Sequence, residues 1–177
     1  MTQPIPLTRL HALARRNSAA DQEVLRELGE WLLVGRIPPE EDGQWSFRTE
    51  FRSNPFPPAP DGSGLTADVS CWPLRKRDPR AFQNVILVGR AGSNDAVVLH
   101  SQVSKLHARI KVAPEGFLLE DAGSSNGTFL NGSRLKSGSP APLVHGATVG
   151  LGAVLLTVFQ REQLVKWLAA RPSLAPA

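Results

Sequence analysis

The sequence predicts a mainly β protein with short helices at its two ends. Between Val85 and Phe159, short apolar runs rich in Val, Ile, Leu and Phe alternate with turn residues such as Gly92-Ser93-Asn94, Pro114-Glu115-Gly116 and Asn131-Gly132. Short strands with this punctuation are typical of a β-sandwich or barrel. No helical pattern alternates with the strands, which disfavours a parallel α/β sheet.

The N-terminal part is predicted to begin with two helices. Leu7 to Arg16 places leucines at helical spacing, and Ser18 with Asp21 forms a weak capping box for a second helix over Ala19 to Val34. Helices this short are not stable alone, so we expect them to pack on the β domain. Residues 1–36 are therefore assigned to an N-terminal helical extension.

The rest of the chain divides into three further segments. Residues 37–66 are rich in Pro and Gly and are interpreted as a linker with one candidate strand at 44–51. Residues 67–160 are assigned to the β domain, whose first strand is expected over Val69 to Leu74. Residues 161–177 are assigned to a short C-terminal helix and a frayed tail.

Charge and composition exclude several kinds of site. The net charge of +4 favours an anionic partner, which nucleic acid, a phosphopeptide or an acidic membrane surface could provide. The basic cluster Arg75-Lys76-Arg77-Asp78-Pro79-Arg80 is interpreted as a solvated turn. The single Cys71 rules out an internal disulfide and a multi-cysteine zinc site. His11, His100 and His145 lack metal-ligand spacing and are interpreted as surface or turn residues, so no metal or cofactor is expected.

The sequence also indicates where the protein resides. No apolar run approaches the roughly 18 residues that a membrane-spanning helix needs, and the N-terminus lacks the apolar segment of a secretory signal. We therefore expect a cytoplasmic protein without membrane contact. The excess of Arg over Lys, 15 to 5, and the abundance of Ala and Pro are typical of a GC-rich genome and indicate a bacterial source.

Three polar clusters interrupt the apolar runs: Gly89-Arg90, Ser104-Lys105-Leu106-His107 and Ser124-Ser125-Asn126-Gly127-Thr128. An arginine offers a planar fork of donors for two phosphate oxygens, and serine hydroxyls and a lysine add further donors and positive charge. Asn126 carries a donor and an acceptor suited to an extended peptide backbone. Gathered at one end of a sandwich, these loops form a site for a phosphate dianion attached to a peptide.

The same clusters do not indicate an enzyme. Ser104 and His107 could be a nucleophile and its base, but residues three apart on a loop entering a strand rarely face each other, and no orienting acid follows. Gly150-Leu151-Gly152 lacks the third glycine and the helix of a dinucleotide site and is interpreted as a turn between strands.

In their order and spacing, Gly89-Arg90, Ser104-x-x-His107, Ser124 to Thr128 and Asn131-Gly132 resemble the forkhead-associated (FHA) domain family. The resemblance implies an eleven-stranded β-sandwich that binds phosphothreonine peptides through loops at one end. It also implies a role for individual residues. Arg90, Ser104 and Ser125 would contact the phosphate with help from Lys105, Asn126 would bind the peptide main chain, and Gln102 would read the residue three positions after the phosphothreonine. Structural support would come from Gly89, His107, Ser124, Gly127, Thr128 and Asn131.

These observations predict a phosphothreonine-dependent adaptor in Ser/Thr kinase signalling. Its partner would be a phosphothreonine-containing protein, such as a kinase or a kinase substrate. Thr49 or Thr66 of the linker, once phosphorylated, could instead occupy the chain's own pocket. An alternative is a phosphate-independent scaffold that docks partners through its helical extension. Nucleic-acid binding is disfavoured, because few aromatics lie among the basic residues and no recognition-helix motif is present.

Overall fold

The computed structural model describes residues 4–16, 18–40, 65–78 and 84–174. Within these residues twelve strands form two sheets, and three helices flank them. The mainly β fold predicted from the sequence is confirmed, whereas the number of eleven strands is not.

The helices are α1 (Leu7–Arg16), α2 (Ala19–Arg26) and α3 (Arg161–Ala169). The strands are β1 (Ile5–Pro6), β2 (Trp31–Gly35), β3 (Ser70–Pro73), β4 (Val85–Gly89), β5 (Ala96–Val97), β6 (Ala108–Ala113), β7 (Gly116–Asp121), β8 (Thr128–Leu130), β9 (Ser133–Arg134), β10 (Ala141–Leu143), β11 (Thr148–Leu151) and β12 (Val154–Gln160).

The strands form a seven-stranded sheet in the order β1-β3-β2-β12-β11-β8-β9 and a five-stranded sheet in the order β10-β7-β6-β4-β5. The short pair β4·β5 is parallel, and the other pairs of the described strands are antiparallel. The main core fills the space between the two sheets. Leu33 and Leu156 enter it from the larger sheet, and Ile86 and Ile110 from the smaller one.

A second core covers the outer face of the seven-stranded sheet. The three helices contribute residues such as Leu10, Leu25 and Leu164, which pack together with Leu32 and Phe159 of the sheet. The expectation that the N-terminal helices pack on the β domain is confirmed. The molecule therefore has three layers, one of helices and two of strands.

The predicted second helix over Ala19 to Val34 is wrong in its last part. The helix ends at Arg26, and Trp31–Gly35 is a strand that pairs with β12 on one side and β3 on the other. Leu32 and Val34 face the helical layer while Leu33 faces the core between the sheets. A strand buried on both faces has no polar alternation, so its apolar run could be mistaken for one face of a helix.

Other local predictions agree with the structure. The Ser18 hydroxyl accepts from the Asp21 amide at 3.1 Å, which is the predicted capping box. Hydrogen bonds from Arg16 and Ser18 lower the pKa of the Asp21 carboxyl to about 2. The predicted strand after Val69 corresponds to β3, and the predicted C-terminal helix to α3. The candidate strand at 44–51 lies outside the described residues, among which no helix could cross a membrane.

Candidate functional site

The three polar clusters meet at one end of the sandwich. They occupy the end of β4, the loop between β5 and β6, and the loop between β7 and β8. The Arg90 amide donates to the Ser104 carbonyl at 2.9 Å, and the Ser125 amide donates to the Ser104 hydroxyl at 3.0 Å. The turn between β11 and β12 joins them, since the Gly152 amide donates to the Gly127 carbonyl at 3.2 Å.

Arg90 is exposed and partly fixed. Its Nε donates to the Val103 carbonyl at 3.0 Å, which orients the guanidinium. Its two terminal amino groups make no hydrogen bond within the described part of the chain. The hydrogen bond from Nε thus orients the guanidinium, and the two terminal amino groups can donate together to a ligand.

Gly89 allows the close approach that places Arg90. A Cβ at Gly89 would lie 2.5 Å from the Lys105 carbonyl oxygen and 2.9 Å from the His107 amide nitrogen. These are backbone atoms that cannot rotate away, so no larger residue fits without moving the loop. The glycine is therefore required by packing at this position.

The side chains of Ser104 and Ser125 lie next to each other, and Lys105 follows Ser104 in the chain. The hydroxyl oxygens of Ser104 and Ser125 lie 3.5 Å apart, and both serines are at least partly exposed. Lys105 is exposed, and its ammonium makes no ion pair within the described residues. Two hydroxyls and the two cations of Arg90 and Lys105 thus come from neighbouring loops, which is the donor set that a phosphate dianion requires.

His107 is fully buried and connects two of the loops. Its Nδ1 accepts from the Ser104 amide at 3.0 Å, so the ring proton lies on Nε2, which donates to the Gly127 carbonyl at 3.1 Å. Burial lowers the pKa of His107, which favours the neutral ring that these two hydrogen bonds need.

Asp121 organises the loop that carries Ser125 and Asn126. Its carboxylate accepts from the Ser124 hydroxyl at 2.5 Å and from the Thr128 hydroxyl at 2.6 Å. It also accepts from the Gly123 and Ser124 amides. Burial opposes ionisation of Asp121, but these hydrogen bonds outweigh it and hold the pKa of the carboxyl below its ordinary value. The hydroxyls of Ser124 and Thr128 therefore stabilise the loop through their hydrogen bonds to Asp121.

Asn126 and Gln102 are joined across the site. The Asn126 Nδ2 donates to the Gln102 carbonyl at 2.9 Å and to its Oε1 at 2.8 Å. Within the described residues, the Asn126 Oδ1 and the Gln102 Nε2 make no hydrogen bond and leave one acceptor and one donor. This pair can meet an N–H and a C=O of an extended peptide.

Asn131 lies away from these loops, at the other end of β8. It has a positive φ of 50°, and its Oδ1 accepts from the Thr148 amide at 2.8 Å. This asparagine connects the turn after β8 to the start of β11.

The basic cluster after β3 is not a solvated turn throughout. The Lys76 ammonium lies 2.7 Å from the buried Asp95 carboxylate, which also accepts from the amides of Arg77 and Leu87 at 2.8 Å. These contacts hold the loop that follows Arg90, in which the Asn94 side chain donates to the Lys105 carbonyl at 2.6 Å. The solvated-turn prediction is therefore wrong for Lys76, whereas Arg80 lies outside the described residues.

Two features of the loop between β5 and β6 escaped the sequence prediction. His100 is buried, not a surface residue, and its Nδ1 lies 3.2 Å from the Gln102 amide that donates to it. The Glu40 carboxylate accepts a hydrogen bond from the Ser101 amide at 2.8 Å and another from the Ser101 hydroxyl. No local signal could have revealed this contact, because the two residues are 61 positions apart.

The FHA domain family model matches residues 86–152. The FHA domain-containing protein FhaB of Mycolicibacterium smegmatis is 31% identical over 71 residues, which are 40% of this chain and 44% of FhaB. An ABC transporter ATP-binding/permease protein of Mycobacterium tuberculosis is 36% identical over 84 residues, 44% of this chain and 9% of that protein. The matched region is thus less than half of each of these relatives.

Two solved structures of FHA domains are similar to part of this chain, with low overall similarity. A structure from a study of phosphothreonine-dependent FHA domain interactions has a TM-score of 0.43 at 25% identity, covering 56% of this chain and 88% of that chain. The FhaA FHA domain complexed with the intracellular domain of Rv3910 has a TM-score of 0.42 at 26% identity, covering 55% and 91%.

Binding residues are often found on loops that a rigid β-sandwich positions, and the cations and hydroxyls described above lie on such loops. The ordered motifs and the family match identify the domain further. Residues 86–152 of this chain match the FHA domain family. FHA domains are binding modules.

Proposed function

We propose that this protein is a phosphothreonine-dependent adaptor in bacterial Ser/Thr kinase signalling and that it has no catalytic activity of its own. The observation that carries the proposal is the convergence of Arg90 and Lys105 with the hydroxyls of Ser104 and Ser125. Charge-assisted hydrogen bonds from such a set are the strong interactions available to a phosphate dianion.

Each side chain has a distinct part in the proposed complex. The terminal amino groups of Arg90 bind two phosphate oxygens, and the hydroxyls of Ser104 and Ser125 donate to the phosphate, with Lys105 adding positive charge. Asn126 accepts from a main-chain N–H next to the phosphothreonine through its free Oδ1. Gln102 offers its Nε2 to the residue three positions further on.

The proposed ligand is phosphothreonine in preference to phosphoserine. The extra methyl group can fill a small apolar pocket, which contributes about 1–3 kcal/mol for a methylene-sized group. The partner we propose is a phosphothreonine-containing protein, either a Ser/Thr kinase or a kinase substrate. Similarity to the mycobacterial FhaB supports a bacterial signalling context. We also propose a cytoplasmic location, where ATP-dependent kinases can supply this ligand.

An intramolecular ligand is a further proposal. The segment with Thr49 begins directly after Glu40, which contacts the loop of the site at Ser101. A phosphorylated Thr49 would therefore be tethered near the site at an effective concentration of about 1 mM. Thr66 suits this role less well, because its hydroxyl already contacts Arg36 and Asp68.

The alternative of a phosphate-independent scaffold has less support. It requires an apolar face of the helical extension that is open to a partner, but the helices bury Leu10, Leu13 and Leu25 against the sheet. Capture of a partner before and after phosphatase treatment separates the two functions. An adaptor of the proposed kind loses the partner, and a scaffold keeps it.

Fluorescence anisotropy with a degenerate phosphothreonine peptide pool tests the proposed function. We expect micromolar binding of this pool and much weaker binding of matched phosphoserine and unphosphorylated pools. The expected selectivity follows from the dianion and the methyl group described above. Equal binding of the three pools would contradict the proposal.

A further inference from the structure

The carboxylate of Glu40 occupies a two-donor site at the edge of the candidate peptide surface. The Ser101 amide donates to Oε1 at 2.8 Å, and the Ser101 hydroxyl donates to Oε2. One residue thus presents an N–H and an O–H to the two oxygens of a single carboxylate. This is a complete pair of charge-assisted hydrogen bonds made at an exposed loop position.

The position of this contact connects it to ligand binding. Ser101 directly precedes Gln102, whose carbonyl and side chain are bound by Asn126. Hydrogen bonds from Ser101 lower the pKa of the Glu40 carboxyl against the opposing effect of burial, and the charges of His100 and then Arg90 add to the lowering. The carboxylate therefore lies within the electrostatic field of the same arginine that we assign to the phosphate.

The contact between Glu40 and the loop depends on Ser101 alone among the described residues. Both Glu40 and Ser101 are exposed, and among the described residues Glu40 forms hydrogen bonds only to Ser101. A phosphate dianion on Arg90 would repel the carboxylate of Glu40, because like charges in one field oppose each other. Binding of a phosphopeptide and seating of Glu40 on Ser101 are thus coupled negatively.

From this geometry we propose that Ser101 is a carboxylate subsite of the peptide surface. Glu40 fills the subsite in the free protein, and an Asp or Glu side chain of the bound phosphopeptide displaces it. The proposal rests on the proposed phosphothreonine function and adds a preference for an acidic flanking residue. Glu40 limits this preference by competing for the same two donors.

A peptide scan with paired variants tests the subsite. A phosphothreonine peptide with alanine flanks is compared with versions in which a single Asp replaces each flanking alanine in turn. Binding is measured for the wild-type chain, Glu40→Ala, Ser101→Ala combined with Glu40→Ala, and the control Glu115→Ala. Glu115 lies in the exposed turn between β6 and β7, at the far end of the sandwich, and its loss changes the net charge equally.

We expect a gain in affinity at only one of the flanking positions of the peptide. In Glu40→Ala, Asp at one flanking position should raise affinity about tenfold over alanine, the size expected for gaining charge-assisted hydrogen bonds. In the wild-type chain this gain should be clearly smaller, and in Glu115→Ala it should be the same as in wild type. Combining Ser101→Ala with Glu40→Ala should reduce the gain seen in Glu40→Ala, because the hydroxyl donor is lost while the backbone amide remains. An affinity gain in Glu40→Ala that is equal for every phosphopeptide would show only a change of charge and would overturn the subsite.

A second measurement separates this inference from the proposed function. If none of the phosphopeptides binds any variant, the phosphothreonine function fails, and the Ser101 subsite is decided by sodium acetate as the probe. In ¹H–¹⁵N spectra of Glu40→Ala, acetate should shift the Ser101 amide resonance, and the wild-type resonance should stay unchanged at the same concentration. Absence of a shift in Glu40→Ala would reject the carboxylate subsite.

Discussion

Arg90 is the side chain on which the proposed recognition depends most. Its Nε is fixed by the Val103 carbonyl, and its terminal amino groups make no hydrogen bond to the residues that the structure describes. A bidentate arginine–phosphate contact combines charge with directional hydrogen bonds, so lysine or alanine cannot replace it.

We predict that Arg90→Ala lowers the affinity for a phosphothreonine peptide by roughly 2–5 kcal/mol, because the dianion loses a charged hydrogen-bonding partner. Arg9→Ala is the matched control, since Arg9 is exposed on α1 and its removal changes the net charge equally. Fluorescence anisotropy measures both variants. An Arg90→Ala variant that binds as tightly as Arg9→Ala would refute the assignment of Arg90.

His107 predicts a pH dependence of stability. Burial lowers the pKa of His107 in the folded protein, so the unfolded chain binds a proton more readily. The stability linked to the neutral ring is complete above the ordinary pKa of 6.5 and is lost as the pH falls below it. Asp121 contributes in a separate range, because its lowered pKa affects stability only below its ordinary value of 3.8.

Urea unfolding at about pH 7.5 and about pH 5.5 checks this expectation. The wild-type free energy of unfolding should be lower at the acidic pH. His107→Gln should be less stable at both values and should show a smaller difference between them, since the titrating ring is gone. An undiminished pH difference in the variant would assign the effect to another group.

Among the structural elements, β4 packs so closely against the loop between β5 and β6 that there is no space for a side chain at Gly89. We predict that Gly89→Ala lowers stability by about 1–3 kcal/mol through overpacking and also weakens phosphopeptide binding, because Arg90 moves with the strand end. Gly92→Ala is the matched control, since a Cβ there would meet no atom within 4 Å. Chemical denaturation and anisotropy report the two effects. Equal behaviour of the two variants would contradict the packing argument.

The elements also show what the sequence could and could not reveal. Motifs with local spacing were predictable, such as Ser18 with Asp21 and the polar loop from Ser124 to Thr128, because their contacts lie within a few residues. The strand Trp31–Gly35 was mistaken for helix, because burial on both faces removes the period-two signal of a half-buried strand.

Contacts between distant residues could not be predicted. Lys76 reaches Asp95 across 19 positions, and Ser101 reaches Glu40 across 61. A charged residue carries no sequence signal that distinguishes a solvated position from a paired one, so the partner becomes visible only when the fold is known. The Lys76 ammonium consequently stabilises the loop after Arg90 through its ion pair with Asp95.

At the scale of the whole molecule, the N-terminal part of the chain is built into the sandwich. β2 pairs with β12 over five residues and with β3 over four, so it lies inside the seven-stranded sheet. The helices α1 and α2 cover the outer face of that sheet together with α3. A unit that begins at residue 67 would lack a central strand.

We predict that a chain beginning at residue 67 fails to form the cooperative fold, because β3 and β12 lose their common neighbour and the core loses Leu33. A chain beginning at residue 30 keeps β2 and should fold with reduced stability, since it lacks the helices that cover Leu32. Circular dichroism and urea unfolding distinguish these cases. A stable fold from residue 67 onward would show that β2 is dispensable.

The proposed function requires that a phosphothreonine peptide bind at the loops after β4, β5 and β7. Titration of the ¹⁵N-labelled full chain with a phosphothreonine peptide, followed by ¹H–¹⁵N spectra, tests it most directly. We predict that the largest changes fall on the amides of Arg90, Ser104, Ser125 and Asn126 and that the unphosphorylated peptide causes none of them. Changes confined to α1, α2 or α3, or equal changes with the unphosphorylated peptide, would contradict the claim.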